Sequence, residues 1–354
     1  MTVPIRVLVV DDSLTVRKRI VDVLSADPAL KVIGEGEDGK QAIELCERLR
    51  PDVVTLDMMM PVMTGVAAAE YIMAYCPTPI LIVSASTNRG ELFRTYDALA
   101  AGAIDVLDKP GTKQSETGWE ERLRNAVKLV SRIKVITHPR ARLAATRREV
   151  SSAARDRKGD GASRVIAIGG STGSPGVIVD ILRRLPRDLA CPVLLVIHIN
   201  EPFGAAFAEW LDGQSPLRVR YARDGERPWG LPDARVLMAP PERHLVLESG
   251  VIRLSSAPER HSCRPSVDTL FESVAADVGS DAIACLLTGM GRDGAAGLLA
   301  VRRAGGTTIA QDEATSVVFG MPREAILMGA AEQVLPMQEI GPALVAAARQ
   351  RRTP

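Results

Sequence analysis

Aromatic side chains are scarce in this chain of 354 residues, at 3% Phe, Trp and Tyr. Aliphatic residues must therefore fill any core, and a stacking platform for nucleobases is excluded. Charge of a single sign is also missing: 44 Lys and Arg face 43 Asp and Glu, for a formal net charge of +1. That balance removes the electrostatic footprint of a nucleic-acid or membrane-surface binder. No apolar run approaches the roughly 18 residues that a membrane helix needs, and the opening stretch MTVPIRVLVVDDS reaches acids too soon for a signal peptide. A soluble cytoplasmic protein without membrane insertion is expected. The cysteines Cys46, Cys76, Cys191, Cys263 and Cys285 are scattered, odd in number and never spaced C-x-x-C, which implies a reducing compartment with neither a disulfide framework nor a zinc site.

What the chain does have is alternation. Short aliphatic runs at Val7–Val10, Val32–Ile33, Val53–Leu56, Ile80–Val83 and Val106–Leu107 alternate with helical patterns starting near Leu14, Lys40, Gly65, Arg89 and Glu120. Continuous aliphatic runs are strands buried on both faces, so the pattern predicts a five-stranded, doubly wound parallel sheet. From Thr137 to Ser163 the chain becomes rich in Arg, Ala and Ser with few large apolar residues, and reads as a linker. Alternation resumes at Val165–Ile168 and continues through Val193–Ile197, Arg235–Met238, a hairpin about Ser249-Gly250, Ala282–Leu287 and Thr307–Ala310. The expected organisation is a first α/β domain at 1–128, a linker at 129–163 and a second, mainly parallel α/β domain at 164–354.

Ligands of open parallel sheets bind beyond the carboxyl ends of the strands. In the first domain those ends carry Asp11, Asp12, Asp57, Ser84 and Lys109. Each aspartate alone is accounted for as a helix N-cap, but three carboxylates at one edge require a cation, and hard oxygen donors suit Mg²⁺. Lys109 and the Ser84 hydroxyl can meet a phosphoryl group, and Lys109-Pro110 sets a tight turn that is able to be cis.

In the second domain the first aliphatic run leads into Gly169-Gly170-Ser171-Thr172-Gly173. This G-x-S-x-G pattern fits a nucleophile elbow, an ordinary turn or a phosphate loop. A serine nucleophile needs a base, and the chain has four histidines. His138 lies in the linker, His244 precedes the hairpin as a structural or substrate-facing residue, and His261 falls in a polar loop as a solvated side chain. His198 ends an aliphatic run at a strand's carboxyl edge, where a base belongs. Asp293, in the glycine-rich loop Thr288–Gly297, is either the acid that orients His198 or the N-cap of the helix from Ala295. The alternative set Ser171, Asp224 and His244 has the chain order of α/β-hydrolases and also stands.

The motifs VVDDS (9–13), TLDMMMP (55–61), SAS (84–86) and DKP (108–110) resemble the receiver domain of two-component response regulators. That resemblance implies Asp57 as phosphoacceptor from a chemotaxis histidine kinase, Mg²⁺ held by Asp11, Asp12, Asp57 and the Met59 carbonyl, and Ser84 and Lys109 as switch residues. Val106 and Thr64 depart from it, where an aromatic residue and Asp are common. GGSTGS (169–174), APPERHLVL (239–247), RPSVDTLFESVA (264–275), LLTGMGRDGAAGL (286–298) and ATSVVFGMPREAI (314–326) resemble the chemotaxis methylesterase family, CheB. This likeness implies a Ser171 nucleophile, a His198 base, an Asp293 acid and an oxyanion site at Thr172 and Met290, with no cofactor at the ester. The expected substrates are γ-glutamyl methyl esters of methyl-accepting chemoreceptors, with glutamine deamidation in many members, and the protein is expected to be a monomer regulated by phosphorylation. The chain departs from the family at Ile199-Asn200, Ser174 and Cys263, while Arg264 and Arg323 are candidate substrate contacts or salt-bridge residues. The rival reading from another class is a non-enzymatic receiver adaptor that binds receptors or kinase.

Overall fold

A computed structural model describes residues 3–85, 88–109, 116–133, 135, 164–199, 203–231 and 235–350. Pro110, Asn200 and the linker from 136 to 163 lie outside the described residues. The chain divides into two compact units, 1–148 and 149–354.

In the first unit, strands β1 (Ile5–Val10), β2 (Leu30–Gly36), β3 (Val53–Leu56), β4 (Ile80–Ser84) and β5 (Asp105–Asp108) form a parallel sheet ordered β2-β1-β3-β4-β5. Helices α1 (Leu14–Ser25), α2 (Gly39–Leu49), α3 (Gly65–Tyr75), α4 (Arg89–Ala101) and α5 (Glu116–Val130) connect or follow them. Val7–Val10, Val53–Leu56 and Ile80–Val83 are fully or almost fully buried, as strands covered on both faces require. Local chemistry sets the helix starts: Ser13, Asp38, Thr64 and Asn88 each accept a backbone N–H from the first turn with the side chain. Thr64 thus supplies the capping oxygen at the position where Asp is common. The sheet order reverses at β1, so Asp11 and Asp57 end neighbouring strands at the switch point.

The second unit has strands β6 (Val165–Gly170), β7 (Val193–Ile197), β8 (Val219–Tyr221), β9 (Val236–Met238), β12 (Ala282–Leu286), β13 (Thr307–Gln311) and β14 (Gln333–Leu335). They form a parallel sheet ordered β14-β13-β12-β6-β7-β9-β8, and a separate antiparallel hairpin pairs β10 (His244–Glu248) with β11 (Val251–Ser255). The hairpin turns through Ser249 and Gly250, both at positive φ, as a two-residue turn with the twist of its strands demands. Edge strands β8 and β14 are three residues each and only partly buried, so no aliphatic run marks them in the sequence. The helices are α6 (Ser174–Arg184), α7 (Phe207–Gln214), α8 (Val267–Val278), α9 (Ala295–Arg303), α10 (Met321–Leu327) and α11 (Met337–Arg349). Helices α8 and α9 pack on the sheet through Val267, Leu270, Phe271, Val274, Leu298 and Val301 in one apolar core.

Strands β7 and β12 flank β6, so the strand order reverses at β6 and opens a crevice at the carboxyl ends of these three strands. Close contact fixes α8 there, since a Cβ on Gly169 in β6 would lie 2.1 Å from Val267 Cγ1. Gly169→Ala is therefore expected to destabilise the second unit by about 1–3 kcal/mol through overpacking. Thermal unfolding should show a lowered transition for that unit, and an unchanged one would contradict the packing described.

Candidate active site

Ser171 follows β6, His198 follows β7, and Asp293 lies in the loop after β12. The fold thus brings to one sheet edge three residues that are far apart in sequence. His198 Nε2 and Asp293 Oδ2 are 2.9 Å apart. Asp293 is 2% exposed, and a carboxylate so buried needs partners. It finds them at the start of α8: the Ser266 hydroxyl donates to Oδ1 at 2.8 Å, the Asp268 N–H to Oδ1 at 3.1 Å and the Val267 N–H to Oδ2 at 2.7 Å. The positive end of a helix favours an anion at this position. Burial raises the Asp293 pKa, but the hydrogen bonds from His198, Ser266 and Val267 outweigh it and hold the carboxyl below its ordinary value. Asp293 does not cap the helix from Ala295; Gly294 stands at that cap, with positive φ and no side-chain bond.

The imidazole is half-buried. Burial disfavours its charge, yet the Asp293 hydrogen bond and the sulfur of Cys263 prevail and raise its pKa to about 9. With Nε2 facing Asp293, the other ring nitrogen, Nδ1, faces Cys263 Sγ at 3.6 Å. Cys263 therefore departs from the family pattern at a position in contact with the imidazole.

Ser171 is held by its backbone. Its N–H donates to Thr288 O at 3.1 Å, its carbonyl accepts the Ser174 N–H at 2.9 Å, and the Ser174 hydroxyl donates to the same carbonyl at 2.5 Å. Ser174, fully buried, braces the turn where the family commonly has glycine. Gly173 adopts φ +80 and a Cβ there would meet Val317 at 2.4 Å, so only glycine suits this turn. Among the described residues Ser171 Oγ has no hydrogen-bond partner, and neither the Thr172 nor the Met290 N–H donates a hydrogen bond. Thr288 ties the loops together: its N–H donates to Gln311 Oε1 at 2.9 Å, and its hydroxyl lies 3.0 Å from Thr172 O. Sequence reading passed over Ser266, Thr288 and Gln311, although a serine just before an apolar helical run is the ordinary sign of an N-cap.

The remaining candidates are placed elsewhere. His244 is buried; its Nδ1 accepts the Ser266 N–H at 3.1 Å and its Nε2 lies 3.1 Å from Pro258 O, so the ring is fully used as a brace for the start of α8. Asp224 is exposed and accepts the Leu254 N–H, so the set Ser171, Asp224 and His244 does not form. His261 is not simply solvated: Nε2 lies 3.1 Å from the buried Asp268. Arg264 pairs with Glu242 at 2.8 Å and Arg323 with Glu324 at 3.3 Å, leaving both in salt bridges.

At the edge of the first sheet, Lys109 Nζ bridges Asp11 Oδ2 at 2.9 Å and Asp57 Oδ2 at 3.0 Å. Asp57 also accepts the Met58 N–H at 2.8 Å. Burial dominates here and lifts the Asp57 carboxyl to about 6 against the pull of Lys109; Asp11 is raised for the same reason. Oxygens of Asp11, Asp12 and Asp57 lie within 4.8 Å of one another. Met59 is exposed two residues past Asp57, and Ser84 Oγ is buried with no hydrogen-bond partner among the described residues. An under-compensated carboxylate trio and an unsatisfied hydroxyl fit a divalent cation and an added oxyanion.

Together these observations define the class. A parallel α/β unit with an acid-oriented imidazole beside a braced serine has the arrangement of a serine hydrolase, and the unit before it carries a receiver-type acidic pocket. The family model for the response regulator receiver domain matches residues 7–116, and that for CheB methylesterase matches 166–344. The protein-glutamate methylesterase/protein-glutamine glutaminase 2 of Anaeromyxobacter dehalogenans is 44% identical over 341 residues, covering 96% of both chains. The enzyme of the same designation from Pseudomonas aeruginosa is 41% identical over 354 residues and 98% of both. The crystal structure of the Thermotoga maritima CheB methylesterase catalytic domain is 36% identical, covers 52% of this chain and 98% of its own, and aligns with a TM-score of 0.48. The chain belongs to the CheB methylesterase family, with an N-terminal receiver domain.

Removing the side-chain cation that faces Asp57 tests the balance in the acidic pocket. Lys109→Met is expected to move the Asp57 carboxyl titration above about 6, followed by its carboxyl ¹³C shift without metal. A midpoint that stays in place would contradict the ion pair.

Proposed function

We propose that the protein is a phosphorylation-regulated methylesterase that hydrolyses glutamate γ-methyl esters on chemoreceptors, and the glutamine side chains of the same segments. Domain limits of 1–128 for the receiver and 164–354 for the catalytic domain, with a linker between, accompany this reading, as do a cytoplasmic location and a monomeric state. The observation that carries it is the pairing of buried Asp293 with His198 beside Ser171; the names of its relatives supply the substrate class.

With Nε2 committed to Asp293, Nδ1 is the nitrogen left to act as base. It takes the Ser171 hydroxyl proton as Oγ bonds to the ester carbonyl carbon, once bound substrate brings the two within about 3 Å. The Thr172 and Met290 N–H groups, which donate no hydrogen bond among the described residues, donate to the oxyanion. The ester C–O bond then breaks, the Nδ1 proton goes to the leaving oxygen and methanol departs. Water attacks the acyl-serine, gives its proton to Nδ1, and Ser171 recovers it as the glutamate leaves. An amide passes through the same steps and releases ammonia.

In the receiver, Asp57 is the phosphoacceptor for a chemotaxis histidine kinase, with Ser84 and Lys109 contacting the phosphoryl oxygens. Mg²⁺, held by Asp11, Asp12, Asp57 and the Met59 carbonyl, would offset the charge of the incoming phosphoryl group. The carboxyl lifted toward about 6 must be ionised to attack phosphorus, and Lys109 favours that form.

Three outcomes test the reading. Ser171→Ala should abolish methanol release from methylated receptors; undiminished release would sink the serine mechanism, and no release by the native protein would leave the adaptor reading. Asp293→Asn should lower turnover by about 10²–10⁴ by losing the charge that orients the base. Because the base must be neutral, kcat/KM should rise about tenfold per pH unit on the acid side, toward a plateau set by the His198 pKa of about 9 in the resting enzyme. The Cys263 sulfur raises that value, so Cys263→Ser should shift the inflection to lower pH; a profile centred near 6.5 in both proteins would contradict the electrostatics.

A further inference from the structure

Cys263 offers a thiol to the ring nitrogen that the proposed mechanism needs. The Sγ–Nδ1 separation is 3.6 Å. A thiolate sulfur about 2.3 Å and an imidazole nitrogen about 2.05 Å from one tetrahedral zinc ion stand about 3.5 Å apart. The pair is therefore already spaced to share a metal. The neutral tautomer is also suitable: with Nε2 as the donor to Asp293 Oδ2 at 2.9 Å, the lone pair of the uncharged ring lies on Nδ1. A carboxylate bonded to the far nitrogen of a ligating histidine is the usual outer-shell partner at zinc sites, and it fixes the ring and raises its basicity. Asp293 is itself anchored by Ser266 and the first amides of α8.

The surroundings allow entry. His198 and Cys263 are both half-buried, whereas the other four cysteines are buried. The Cys263 thiol has one further contact, with the His261 carbonyl at 3.4 Å, which a metal-bound thiolate would give up. The His261, Asp268 and Asp293 cluster nearby is a poorer host, because those groups already bond one another, Arg292 and the backbone. No sequence spacing announces the Cys263–His198 pair, since 65 residues separate its members.

The geometry points to an inhibitory site for a thiophilic divalent cation of the zinc class, with Cys263 Sγ and His198 Nδ1 as protein ligands and water completing the sphere. Two protein ligands are fewer than the three of a catalytic zinc centre, so the ion is an exchangeable inhibitor. Binding releases the thiol proton and, where the ring is charged, the Nδ1 proton as well, and it occupies the Nδ1 lone pair, so the imidazole cannot accept the Ser171 proton. The inhibition, though not the metal site, rests on the proposed role of His198.

The test uses the whole 354-residue chain with Mg²⁺ saturating the receiver pocket. Adding Co²⁺ to the Ser171→Ala protein should produce a thiolate-to-cobalt charge-transfer absorption, which Zn²⁺ displaces. The band should be absent from Ser171→Ala/Cys263→Ala and weakened by at least tenfold in apparent affinity when His198→Ala is added to Ser171→Ala instead. In the active protein, Zn²⁺ should suppress methanol release, a chelator should restore it, and Cys263→Ser should need at least tenfold more Zn²⁺ for the same suppression. Absence of the cobalt band from the Ser171→Ala protein, or a band that survives loss of Cys263, overturns the site. Equal zinc sensitivity of the native and Cys263→Ser proteins overturns the inhibition. A cobalt band in a protein that releases no methanol would leave the metal site standing and count against the esterase reading alone.

Discussion

The carboxylate of Asp293, set into the first turn of α8, is the constraint on which the catalytic geometry depends. Burying a carboxylate costs several kcal/mol after relaxation. Each hydrogen bond to a charged group returns about 1.5–3 kcal/mol, and Asp293 has the Ser266 hydroxyl, two backbone N–H groups and His198. Those partners win, which is why the acid stays ionised although it is buried. A fixed anion selects the His198 nitrogen that faces it, and this leaves Nδ1 toward Cys263 Sγ. His244 extends the same support outward by accepting the Ser266 N–H.

The receiver pocket makes the opposite use of a buried aspartate. Asp57 has one backbone donor and a lysine shared with Asp11. Burial prevails, and the carboxyl rises to about 6. Asp293 is thus held in its anionic form, while Asp57 is left short of positive charge, as the proposed binding of a cation and a phosphoryl group requires. The same residue type serves two tasks because the number of donors differs, and environment sets the role of paired acids in this way elsewhere.

Much of this was legible in the sequence where the signal is local. Aliphatic runs placed the central strands, and residues just after them placed Asp11, Asp57, Ser84, Lys109, Ser171 and His198 at sheet edges. Signals failed where the deciding contact is distant. Asp293 read equally well as a cap for the next helix, because its actual partners begin 25 residues away at Ser266–Asp268. His261 read as solvated, since nothing in its loop announces the buried Asp268. Strands β8 and β14 escaped notice as short edges with no aliphatic run. Cys263 and Ser174 stood out as departures, but their roles against the imidazole and the Ser171 carbonyl emerge only from the fold.

In the proposed mechanism Asp293 fixes His198 with Nε2 as the donor and Nδ1 as the base. Nitrogen-15 NMR of the labelled His198 imidazole across a pH series measures both tautomer and pKa. The spectra should show the Nε2–H tautomer in the neutral ring and a midpoint raised to about 9. A neutral ring protonated on Nδ1, or a midpoint near the ordinary 6.5, would contradict it.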